Sequence, residues 1–135
     1  MVIALHEPSW DRTLNRGTTS TFANYPRKSC SRTAVLPLAQ ILELFKKEIG
    51  GGKIKIEGYG IIDVATIRAL GSAAEAPVEF VVTEDPTETN PAHAEIVAFE
   101  PGRDKIRSRV PRGLSNRLCE NLKITLIECF LGIQP

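Results

Sequence analysis

The residues best suited to chemistry lie close together: Asp85, His93 and Glu95, set in the segment Asp85-Pro86-Thr87-Glu88-Thr89-Asn90-Pro91-Ala92-His93-Ala94-Glu95. A histidine beside a carboxylate titrates near neutral pH. His93 can therefore serve as a general base, with Asp85 or Glu95 orienting the imidazole or holding a divalent ion, an arrangement suited to a small hydrolase or a nuclease-like enzyme. The same residues also suit an architectural role. Pro86 and Pro91 restrict the backbone and bias Asp85 and Asn90 toward extended geometry, so an ordered loop is expected in which Asn90 and His93 act as hydrogen-bond partners.

Other chemistries fail on spacing. His93-Ala94-Glu95 matches the first half of the zinc deaminase signature, but the Pro-Cys-x-x-Cys half is missing, since neither Cys119 nor Cys129 follows a proline. His6, His93, Cys30, Cys119 and Cys129 form no closely spaced ligand pair, so no metal is expected. Gly50-Gly51-Gly52-Lys53 lacks both the first glycine and the Ser or Thr of a phosphate loop, because those positions are Lys47 and Ile54. It reads as a helix stop and turn. No nucleophile elbow and no dinucleotide fingerprint occur, so no cofactor is expected.

Charge is balanced overall but segregated along the chain. The 17 basic and 16 acidic residues of the 135 leave a net charge of +1, which gives no global case for nucleic acid or an anionic membrane. Seven acidic residues and no Lys or Arg lie between positions 71 and 102, whereas Arg103, Lys105, Arg107, Arg109, Arg112 and Arg117 follow directly. This basic segment is a candidate binding surface. It could track a phosphate backbone, but pairing with carboxylates of this protein or of another protein is favoured. Three widely spaced cysteines suit a reducing compartment, and neither a secretory leader nor a run of ~18 apolar residues is found, so a cytoplasmic protein is expected.

The elements that must position these residues follow from apolar periodicity. Leu38, Ile41, Leu42, Phe45 and Ile49 recur at helical spacing after Pro37, predicting an amphipathic helix over 38–49. Asp63 is placed to cap a short helix over 63–70, with Gly71 at its C-terminal left-handed position. Strands are predicted over 18–23, 53–57, 78–83 and 93–99, with a sharp turn at Gly58-Tyr59-Gly60. Ile106, Val110, Leu114, Leu118 and Leu122 at four-residue steps predict a helix over 103–121, kinked at Pro111; the tail from 123 to 130 suits either a strand or a continued helix. The expected architecture is α/β, with α+β as the alternative: a small mixed sheet of four to five short strands carrying two to three helices, in a single domain over 1–135 with 1–16 and 131–135 peripheral.

The segment from Asp85-Pro86 through Asn90-Pro91-Ala92-His93-Ala94-x-Ile96 resembles the Asp-Pro…Asn-Pro-Ala-His-Ala-x-Ile segment of a family of small, largely uncharacterised bacterial proteins. Those proteins are similar to this chain also in a leucine-histidine start, a Ser-x-x-Phe strand (here Ser20 to Phe22, one residue tighter), an amphipathic helix, a segment like Ile62-Asp63-Val64-x-x-Ile67-x-x-Leu70-Gly71 and a basic final helix. The likeness spans about Leu5 to Asn121 and departs at Pro111 and in the apolar tail. It implies a bacterial cytosolic protein with a compact α/β domain and a partner-dependent accessory role in mobile-element or defence-associated systems. An accessory module that binds another protein is thus the first expectation, a His93-centred enzyme the second and a nucleic-acid binder the third.

Overall fold

The computed structural model describes residues 1–5, 10–11, 16–17, 27–52, 56 and 58–126. In chain order the elements are β1 (Val2–Leu5), β2 (Trp10–Asp11), β3 (Arg16–Gly17), β4 (Arg27–Ser31), α1 (Leu38–Glu48) with a 3₁₀ turn at Ile49–Gly52, β5 (Gly58–Ile61) and α2 (Val64–Ala73). They continue with β6 (Glu79–Glu84), β7 (His93–Glu100), β8 (Arg103–Arg107), α3 (Arg112–Glu120) and β9 (Lys123–Leu126). Seven strands form one sheet in the order β6-β7-β4-β1-β5-β9, with β8 also on β7; β2 and β3 pair separately. Among the described residues every pairing is antiparallel. The α/β content agrees with expectation, but the sheet has more strands than expected and is not mixed.

The sheet is covered on both faces, and β1 shows why. Its run Val2-Ile3-Ala4 does not alternate, as befits a strand buried from two sides. Ile3 joins a core with Ile67 of α2 and Leu114 and Leu118 of α3, whereas Val2 and Ala4 join Ile41, Leu42 and Phe45 of α1. The opening residues, expected at the periphery, are therefore an inner strand. They hydrogen-bond to β4 and β5 at once.

Four further expectations change. The region 58–61, expected as a turn, is a strand paired with β1 on one side and β9 on the other, and it packs closely at Gly60, where a Cβ would meet the Leu122 side chain at 3.1 Å. Gly71 lies inside α2 and does not end it; the helix runs on to Ala73. The segment 103–107, expected as helix, is a strand that returns along β7 after the turn at Pro101-Gly102, where Gly102 takes φ 71°. Pro111 kinks nothing, since it is the N-cap of α3. Residues 123–126 resolve as strand. The strand expected over 18–23, and residues 53–55, 57 and 131–135, lie outside the described residues.

Candidate functional site

Strand parity sets out the site. On β7, Ala94, Ile96 and Ala98 face the α2 and α3 core, so His93, Glu95 and Val97 face the side that α1 covers. Register places Ser31 opposite His93 and Ser29 opposite Glu95, which puts both serines on that side too. The buried residues of α1 pack on Val2, Ala4, Tyr59 and Ala92. Beside that contact the sheet forms the floor of a cleft of ≈ 390 Å³, lined among others by Ser29, Ser31, Phe45, Thr87, Asn90 and His93.

The loop between β6 and β7 is held by its own polar groups. The Asn90 side chain accepts from the Ala92 N–H at 3.0 Å and donates to the Ser31 hydroxyl at 3.1 Å, which ties the loop to β4. The backbone carbonyl of Asn90 accepts from the N–H groups of Thr87 and His93, and its backbone N–H donates to the Thr87 hydroxyl. Asn90 and Ser31 are buried, so these bonds satisfy groups that would otherwise be desolvated without partners. Thr89 donates to Glu48, which links the loop to the end of α1.

His93 emerges from this loop with its two ring nitrogens in different states. Nδ1 lies 2.8 Å from the Asp85 carbonyl oxygen and 3.2 Å from the Asp85 carboxylate. Both are acceptors, so Nδ1 carries the proton and Nε2 holds the lone pair of the neutral ring. Nε2 makes no hydrogen bond among the described residues, and the ring, 22% exposed, lines the cleft. Of the two carboxylates proposed from the sequence, Asp85 is thus the one that orients the imidazole. Glu95 shares the face two residues along β7. Pro86 and Pro91 flank the loop and are exposed.

The basic residues do not converge here. Arg103 donates to the Glu100 carboxylate at 3.3 Å, Lys105 and Arg107 belong to β8, Arg109 follows that strand, and Arg112 and Arg117 lie on α3. Sequence reasoning missed Ser29, Ser31 and Thr87. The strand that carries the two serines, Arg27-Lys28-Ser29-Cys30-Ser31, has one apolar residue and so gives no hydrophobic alternation, and Thr87 lies in the loop between β6 and β7. The usable signal was the pair of small hydroxyl residues flanking a cysteine.

On the opposite face Cys30 is buried, with its thiol directed at the Ala94 carbonyl and the Met1 sulfur. Burial pushes that thiol up to about 11, which leaves it unreactive at neutral pH. Burial also holds the Lys28 ammonium below its usual range. Groups of three or more His, Cys, Asp or Glu able to hold a metal are not found among the described residues. No known protein family, curated protein or solved structure matches the chain.

Proposed function

We propose that the cleft is a substrate site in which His93 acts as a general base for hydrolysis of a small ester or phosphodiester. The observation that carries this reading is the double acceptor on Nδ1, which fixes the tautomer and leaves Nε2 as the basic atom at the cleft. In the reaction, Nε2 takes a proton from a water molecule as that oxygen attacks the electrophilic centre. The resulting imidazolium is stabilised by the Asp85 carboxylate and then returns the proton to the leaving oxygen.

The test is a panel of chromogenic carboxylic and phosphodiester substrates. His93→Gln is expected to lower turnover at least a hundredfold, since a positioned general base contributes ~10²–10⁴-fold. Asp85→Asn is expected to lower it less, because the Asp85 carbonyl still holds Nδ1. Turnover equal in wild type and His93→Gln, or no turnover together with no perturbation of the His93 ring signals by any substrate, overturns the reading. A second reading, binding of another protein, is favoured by the exposed acidic residues Glu75, Glu79 and Glu88 on and around β6.

A further inference from the structure

The end strand β6 pairs on one side only among the described residues, with β7. Its backbone polarity is set by the Asp85 N–H, which donates to the His93 carbonyl at 3.0 Å in register with the β6–β7 ladder. By alternation, Glu79, Val81 and Thr83 direct their N–H and C=O groups at β7, while Phe80, Val82 and Glu84 direct theirs outward. A groove of ≈ 580 Å³ runs beside this edge, bounded by Arg68 and Ser72 of α2, by Val78, Phe80 and Val81, and by Pro101. The Val78 N–H donates to the Gly71 carbonyl, which fastens the start of the strand to α2 and keeps the groove's two walls together.

From this we infer that β6 is a docking edge for an extended, basic segment of another protein, which adds to the sheet as an outer strand beside α2. The proposal goes beyond the His93 chemistry and rests on the protein-binding reading. Three outward residues offer six backbone groups, enough to set the register of an added strand. The choice of occupant follows from charge. Glu75 and Glu79 lie next to and on the strand and Glu88 in the loop after it, all three exposed. Glu84 is already paired with Arg32 at 2.9 Å, and Glu79 also accepts from the Gly102 N–H. Arg68 on the α2 wall is the one cation among the described residues lining the groove, so acidic groups outnumber basic ones along this edge. A second copy of this chain fits less well. Full overlap of two antiparallel β6 strands, centred on Val82, would set Glu79 of each copy opposite Asp85 of the other, and like charges directly opposed are unfavourable.

Fluorescence anisotropy with the full chain tests this, using a labelled peptide of alternating lysine and valine, its glutamate-valine counterpart, and a lysine-valine peptide N-methylated at every second residue. The lysine-valine peptide is expected to bind, with the other two at least tenfold weaker. Val82→Pro removes an N–H that the β6–β7 ladder does not use, and Pro is tolerated on an edge strand in that orientation. It is expected to weaken binding at least tenfold, and Glu79→Lys at least fivefold. Should Val82→Pro fail to fold, Glu79→Lys and the N-methylated peptide carry the test. His93→Gln is expected to bind the peptide like wild type, so that loss of catalysis and loss of docking are separable. Equal binding of the methylated peptide, no binding by wild type, or a dimer in sedimentation that Val82→Pro dissolves, the sign of a second copy as occupant, overturns the proposal.

Discussion

Asn90 is the residue whose removal most directly probes the loop. Its side chain is buried and forms one hydrogen bond within the loop and one to Ser31, so Asn90→Ala leaves the Ala92 N–H and the Ser31 hydroxyl without those partners. A loss of about 1–3 kcal/mol in urea unfolding is expected. Unchanged stability would show that the loop is held without it. At this scale the sequence was informative where a residue type carries its own geometry: two prolines and an asparagine marked an ordered loop, and His93 with Asp85 marked a polar pair. It was silent on Ser29 and Ser31. Their meaning depends on pairing with β7 across more than sixty positions of chain, which no local pattern encodes.

At the scale of elements, α2 supports two predictions. Asp63 caps it by accepting from the Thr66 N–H at 2.7 Å, and that bond holds the Asp63 carboxyl below its ordinary value. A depressed carboxylate contributes stability that is present above its unfolded value and lost as pH falls through its folded one, so the cap weakens below about pH 4. Asp63→Asn retains a capping oxygen but no titration. Its stability is expected to decline less steeply than wild type across that acid range in thermal melts. Gly71 is the second case. Alanine there gains about 1 kcal/mol of helix propensity, but its Cβ would sit 2.5 Å from the Val78 carbonyl oxygen and 2.7 Å from the Phe80 ring, a clash with backbone that cannot swing aside. Overpacking costs about 1–3 kcal/mol, so Gly71→Ala is expected to lower the urea midpoint with the slope unchanged. The misreading of 103–107 has a similar physical root. Val110, Leu114, Leu118 and Leu122 are buried at four-residue steps, and Ile106 continues that spacing by coincidence while being 38% exposed on a strand.

The whole molecule is organised around β1, which joins segments distant in sequence and supplies side chains to both cores. Ile3 is 1% exposed, and Ile3→Ala is expected to cost about 2–5 kcal/mol by loss of buried surface plus the cavity left behind. That strand's importance was hidden in the sequence because four apolar residues at one end of a chain look the same whether they cap a sheet or run through its middle. The distribution of charge leads to a further expectation at this scale. Arg103 is engaged by Glu100, and Arg112 and Arg117, five residues apart on α3, point about 140° from one another at 3.6 residues per turn. With a net charge of +1 and an acidic stretch immediately upstream, the long-range field of the basic segment is weak. Anisotropy titration with duplex or single-stranded nucleic acid at low salt is therefore expected to show nothing tighter than the ~10⁻⁶ M of weak non-specific binding. Tighter binding that falls steeply with salt, and is lost when Arg107 and Arg109 are both changed to Glu, would show that β8 and its connection to α3 do gather phosphates and would make this surface the functional one.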